Sequence, residues 1–291
     1  IKCLFWHTEI NGNYTFNNNF QFNPYYTLGQ YYQSAPTSGS RASSNNYWLS
    51  LNTRVQYDFN IQKHKISAMV GHEATYYAYQ NLSASGLNYS TNTIQELSVA
   101  DPLSPPGTSG RGDGAGESYF ARVGYTYNDK YIAQFVFRRD GSSNFGPNNR
   151  FGNFPAVSAA WKVSDENFMK NITFINDLKL RAEYGISGNA GPGGAIYSNL
   201  YASPTVWGTG FLPSNFPNPN LKWEQDQSKN LGLDLHMFNF RVEVIADAYL
   251  KQISNLILPV TGPIYFGGNV SGGYGGQIAW PQANYGNMEN R

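Results

Sequence analysis

The 291-residue chain predicts an all-β protein: an antiparallel up-and-down segment of a transmembrane β-barrel. Three observations carry that expectation. Apolar and polar residues alternate with period two again and again. The connections between the alternating stretches are short and long in strict turn. The composition is aromatic and uncharged-polar, with 16 % aromatic and 13 % charged residues, and the charged share is roughly half of the usual value.

The alternation begins with Tyr14, Phe16, Phe20 and Phe22 against Thr15, Asn17, Asn19 and Gln21. Tyr47, Leu49, Leu51, Val55 and Tyr57 then alternate with Ser50, Asn52, Arg54 and Gln56, and Ile66, Ala68 and Val70 with Lys65, Ser67 and Gly71. In "YFARVGYTYNDKYIAQFVFRRDGSSNFG" (119–146), Tyr119, Ala121, Val123, Tyr125 and Tyr127 oppose Phe120, Arg122, Gly124 and Thr126. After "NDK" the scheme repeats with Tyr131, Ala133, Phe135 and Phe137. Later strands follow at Val157–Val163, Leu178–Ile186, Leu231–Met237 and Val242–Ala248. No long stripe of period 3.6 occurs.

Short connections are expected near 10–13, 58–61, 128–130, 164–175 and 239–240, and long ones near 23–46, 75–116, 141–151, 188–227 and 253–285. An up-and-down sheet with tight turns at one end and long loops at the other gives this order, as outer-membrane barrels do. Strands of about nine to eleven residues, tilted by roughly 40°, would cover an apolar band of about 25 Å. Lys179, Arg181 and Glu183 share one face of one strand and need water, which a wide lumen supplies. Tyr127, Tyr131, Trp161, Phe238 and Phe240 gather at strand ends, the pattern of an interfacial girdle. A soluble secreted β-sheet protein that binds carbohydrate is the alternative that alternation alone leaves open.

The remaining numbers exclude several classes. A net charge of +1 gives no footprint for nucleic acid. Cys3 is the single cysteine, so there is no internal disulfide framework. No 18-residue apolar run and no signal-peptide pattern is present. The chain opens on "IKCLFWHTEI" and ends on "NYGNMENR", in what reads as the start of another strand; a fragment of a larger protein is expected. His7, His64, His72 and His236 lack metal-ligand spacing. No arrangement of nucleophile, base or paired carboxylates asks for an enzyme, so no catalytic, cofactor-binding or metal residue is assigned. "DGSSNFGPNNRFG" (140–152) lacks the ligand pattern of a calcium loop and reads as a rigid hairpin loop. "RGDG" (111–114) is too short a match to carry a role.

Several stretches carry a family resemblance. "RRDGSSNFGPNNRFGNFPAVSAAWKVSDENFM" (138–169), "LKLRAEYGISGNAG" (178–191), "NPNLKWEQDQSKNLGLDLHMFNFRVEVIADAYLKQISNLIL" (218–258) and "NYGNMENR" (284–291) resemble the SusC/RagA-type TonB-dependent outer-membrane transporters of the Bacteroidetes. The likeness runs from about residue 45 to the end, with "HKISAMVGHEATYY" (64–77) in place for a similar strand. It implies a 22-stranded barrel around an N-terminal plug, of which residues 1–291 supply about ten strands. It also implies energy delivered through the TonB complex and a SusD-like surface lipoprotein as lid. Cargo in the family is as a rule oligosaccharide, sometimes peptide, and the setting is the lipid bilayer of the outer membrane. Within loop 188–227, Tyr201 and Trp207 are the expected substrate contacts, because exposed aromatics stack on sugar rings. Packing of the loop against its neighbours or the lid partner is the competing and favoured expectation for its aromatics as a set, Tyr197, Tyr201, Trp207, Phe211 and Trp223.

Overall fold

A computed structural model describes residues 2–29, 32–33, 36–191, 200–205, 208–213, 217–260 and 281–291. The first strands are β1 (Lys2–Asn23), the short pair β2 (Thr27–Leu28) and β3 (Tyr32–Gln33), β4 (Ser38–Ile61) and β5 (His64–Leu87). There follow β6 (Thr108–Tyr127), β7 (Tyr131–Ser142), β8 (Phe151–Lys162) and β9 (Ile175–Asn189). The hairpin β10 (Leu200–Thr205) and β11 (Gly208–Pro213) precedes β12 (Glu224–Met237) and β13 (Val242–Ser254). The chain ends with β14 (Ile257–Pro259), β15 (Gln282–Asn284) and β16 (Met288–Asn290). Ten strands form one sheet in the order β1-β4-β5-β6-β7-β8-β9-β12-β13-β16, with β1 and β16 as its edges. Strands that follow one another in the sheet also follow one another in the chain, which is the expected up-and-down meander.

Two expectations are corrected. Residues 10–13 are not a turn: β1 runs through them, because Gly12 leaves room for Leu49, whose Cδ2 would lie 3.3 Å from a Cβ there. The strands also exceed the expected nine to eleven residues. β4 and β5 have 24 each, β1 has 22 and β6 has 20. Pairing therefore continues well past a membrane's apolar thickness, and the long connections shrink accordingly.

The tight turns use residues that tolerate positive φ. Asn128 and Asp129 take φ 51° and 57° between β6 and β7, as expected for Asn and Asp. Phe238, Asn239 and Phe240 all take φ between 54° and 61° between β12 and β13. For the two phenylalanines this is a strained backbone, held in place by the Phe238 N–H donating to the Phe174 carbonyl at 2.8 Å.

By its internal contacts the chain divides into two compact units. One comprises residues 1–9, 51–74 and 116–291. In it the fully buried large side chains are Phe145 and Leu221, joined by Ile257 with Ala190 and Trp223 packed alongside. These residues come from the β7–β8 connection, the segment before β12, and β14, so the hydrophobic cluster lies among loops. The other unit comprises residues 10–50 and 75–115. Its buried aromatic is Tyr89, edge-on to Phe22 at 5.1 Å.

Candidate functional site

Strand alternation sorts the side chains of β6 to β9, β12 and β13 into two faces, and the register aligns them in rows. One row on the apolar face reads Tyr127, Tyr131, Trp161, Leu180, Leu233, Ala246. The next reads Tyr125, Ala133, Ala159, Ala182, Leu231, Ala248, and the third Val123, Phe135, Val157, Tyr184, Lys229, Leu250. Among the described residues no second layer covers these rows: Leu180 is 40 % exposed and Leu231 65 %. A soluble sandwich would bury such a face at about 25 cal/mol per Å².

The apolar belt is slanted across the register. On β6 it reaches Tyr119 before Glu117, and on β7 it ends at Phe137 before Arg139. On β12 it runs from Met237 only to Leu231 before Lys229. From β6 to β12 its upper edge thus drops by three rows and its lower edge by two, over four inter-strand steps. A mean drop of about five residues at roughly 3.3 Å, across steps of roughly 4.8 Å, is a slope of about 40°. That matches the tilt of roughly 35–45° at which strands cross an outer membrane.

Aromatic rings line the belt at its tight-turn end. Ring centroids of Tyr127 and Tyr131 lie 6.2 Å apart, those of Tyr131 and Trp161 6.3 Å, and His64 sits 4.9 Å from Tyr127. Glu166, in the turn after β8, accepts hydrogen bonds from the Tyr131 hydroxyl at 2.7 Å and the Trp161 Nε1–H at 3.2 Å. Lys130 Nζ lies 3.3 Å from the same carboxylate. The Tyr131 and Trp161 hydrogen bonds, with the Lys130 charge, hold the Glu166 carboxyl below its ordinary range. The expected girdle is therefore a hydrogen-bonded assembly.

The opposite face is built from ion pairs. Arg181 Nε and Nη2 donate to Asp234 at 2.8–3.2 Å, and Nη2 also lies 3.2 Å from Asp247. Asn230 Nδ2 donates to Asp247 at 3.1 Å. Arg138 Nε donates to Asp140 at 2.6 Å, and its Nη2 to Ser118 at 3.0 Å and Glu73 at 3.3 Å. His236 lies between Asp177 and Glu243 at 3.9 and 3.3 Å. Neighbouring His72 and Glu73 point to opposite faces, as strand geometry requires: Glu73 meets Arg138, and His72 meets Glu117 at 3.1 Å. Such a face offers charges and donors to a polar solute in water. Among the described residues no cluster of three or more His, Cys, Asp or Glu could hold a metal ion.

Tyr201 lies on β10 opposite Leu212 of β11, and Trp207 lies outside the described residues. Trp223 packs as expected. Its Nε1–H donates to the Arg150 carbonyl at 3.1 Å, and its ring meets Phe145 at 5.2 Å and Phe154 at 5.4 Å. Phe145 thus anchors the "DGSSNFGPNNRFG" loop. Asn284 ties that region together, donating to the carbonyls of Lys222 at 2.7 Å and Asn255 at 2.8 Å.

"RGDG" proves to be strand. Gly110, Gly112 and Gly114 of β6 lie against the side chains of Asn81, Tyr79 and Tyr77, and a Cβ on them would come within 2.6, 2.6 and 2.2 Å of those side chains. Sequence reading missed this aromatic row; the signal was glycine at every second position.

Residues 4–291 match the family model described as TonB dependent receptor-like, beta-barrel. The TonB-dependent receptor P39 of Formosa agariphila is 36% identical over 236 residues, 79% of this chain and 21% of that protein. The TonB-dependent receptor SusC of Bacteroides thetaiotaomicron is 33% identical over 228 residues, 75% of this chain and 22% of that protein. Among solved structures, the RagAB peptide transporter superposes with TM-score 0.83 at 23% identity, covering 99% of this chain and 31% of that one. The chain spans about a fifth of the length of these curated relatives.

Proposed function

From the premise that this chain belongs to the TonB-dependent receptor-like β-barrel family of the outer membrane, we propose that it walls part of a nutrient importer. The slanted apolar belt meets acyl chains, and the face carrying Arg181, Asp234 and Arg138 borders an aqueous lumen. Further strands of the parent protein close a barrel of 22, and a plug domain inside it moves when the TonB complex pulls. The cargo is an oligosaccharide, the usual cargo of the family that the sequence resembles; the RagAB likeness keeps peptide as the second reading. A SusD-like surface lipoprotein lids the barrel. Tyr201 and Trp207, in the long loop before β12, contact the cargo there. No covalent chemistry is required.

The observation that carries this reading is the 40° slope of the belt, which a soluble sheet has no reason to possess. Single cysteines at Ala182 and Glu183 in the full-length protein, embedded in membranes, test it. A membrane-impermeant maleimide is expected to label position 183 and spare 182; equal labelling at both sinks the orientation. Uptake of labelled oligosaccharide by cells, abolished by gene deletion and by collapse of the proton gradient, tests the transport step. Uptake indifferent to both overturns it.

A further inference from the structure

We propose that the face of β1, β4 and β5 carrying Asn13, Thr15, Asn46, Trp48, Tyr77 and Tyr79 is a binding site for a neutral oligosaccharide. The inference rests on the importer reading and names where its cargo docks. These side chains line a cavity of about 330 Å³, at the small end of the roughly 300–1,000 Å³ typical of ligand sites. Trp48, Tyr77 and Tyr79 stay 42 %, 36 % and 46 % exposed.

The side is fixed by alternation. Along β5 the same parity that carries Glu73 carries Tyr77 and Tyr79. Along β4 the parity that carries Ser50, Asn52 and Arg54 carries Asn46 and Trp48. On β1 the opposite parity is taken up by Tyr14, whose ring meets Tyr47 at 4.9 Å, so Asn13 and Thr15 belong to the cavity's side.

The rings are also held in place. Gly114 and Gly112 bring the β6 backbone against Tyr77 and Tyr79, so each ring rests one flank on bare main chain instead of swinging freely. Pre-ordered rings lose little entropy on binding. A pyranose presents an apolar C–H face for such rings and a rim of hydroxyls, for which Asn13, Asn46 and Thr15 supply donors and acceptors. Among the described residues none that lines the cavity is charged. A uronate or a peptide terminus would find no counter-ion, which selects a neutral sugar.

The test uses the full-length receptor in detergent, titrated calorimetrically with maltohexaose, cellohexaose, laminarihexaose and xylohexaose, and separately with a tryptic peptide mixture. At least one hexasaccharide is expected to bind. Trp48→Ala and Tyr79→Ala should each weaken it by about tenfold or more, as loss of a central aromatic contact does, and Gly112→Val should do the same by displacing Tyr79. Tyr14→Phe, on the other face, should leave affinity unchanged. Heat-dependent gel mobility confirms that each variant is a folded barrel. Binding undiminished in folded Trp48→Ala and Tyr79→Ala overturns the site, as does binding of peptides alone or of no hexasaccharide. Should that occur while the receptor still inserts in the outer membrane and shows the Ala182/Glu183 labelling contrast, only the sugar site falls and the importer reading stands.

Discussion

Gly232 lies under the guanidinium of Arg181: a Cβ at residue 232 would sit 2.6 Å from Arg181 Cζ and 2.7 Å from an Asp247 oxygen. The register explains why. Gly232 is paired with Arg181 on one side and Asp247 on the other, so the arginine crosses a bare strand to reach the second carboxylate. Gly232→Val is expected to expel the guanidinium and leave Asp234 and Asp247 facing each other without their cation. The temperature at which the folded barrel loses its compact gel mobility should drop, and by more than in Gly232→Ala. Equal stability in all three proteins would show that the ion pairs do not support the wall.

Ala159 and Ser158 are neighbours on β8 and differ only in the face they serve. Ala159 lies in the apolar row between Ala133 and Ala182, whereas Ser158 is paired with Gln134 and Glu183. Arginine on the lipid face near the middle of the belt costs about 2–4 kcal/mol. Ala159→Arg is therefore expected to lower unfolding free energy by about that amount, measured by urea titration in lipid vesicles, and Ser158→Arg to change it by less than about 1 kcal/mol. The reverse order would place lipid on the wrong side.

Among the described residues Phe145 and Leu221 are the largest side chains with no exposure, and both sit among the connections rather than in the strand rows. Truncation removes core volume, so Phe145→Ala should cost about 3–5 kcal/mol and Leu221→Ala about 2–5 kcal/mol. Because the belt does not touch this cluster, membrane insertion should persist. Protease nicking in the 142–150 and 217–223 segments should rise, read by mass spectrometry of digested vesicles. Loss of insertion in both variants would mean that the loops guide assembly of the wall.

The period-two pattern made the meander, both faces and the aromatic turn end legible, because one face of every strand meets a single solvent. Strand ends were less legible. Asn11, Gly12 and Asn13 carry the chemistry of a turn, but Gly12 serves the approach of Leu49. "RGDG" likewise resembles a loop, yet its glycines seat Tyr77 and Tyr79 from a strand distant in sequence. In both cases glycine answers a neighbour across the sheet, and a local reading of propensity has no access to that neighbour. The Arg181–Asp234–Asp247 set is spread over three strands and emerges only from register. Of the expected cargo contacts, Tyr201 and Trp207 come from a loop whose apolar residues obey no period, so sequence pattern supplied composition without placement.

Glu166 gives a pH dependence whose sign is fixed. The Tyr131 hydroxyl, then Trp161 and Lys130, hold its carboxyl below the ordinary 4.5. Between the lowered value and 4.5 the folded protein therefore binds fewer protons at this residue than the unfolded chain does. Stability from this group is fully present above 4.5 and is lost as pH falls through the lowered value. The thermal midpoint of the membrane-embedded protein, followed from about pH 7 to pH 3, should lie higher in wild type than in Glu166→Gln at neutral pH. The two curves should converge in the acid range, because protonated Glu166 and glutamine are then nearly equivalent partners for Tyr131 and Trp161. A gap of constant height across the whole range would assign the effect of the substitution to packing in the turn and dismiss the carboxylate as the anchor of the aromatic row.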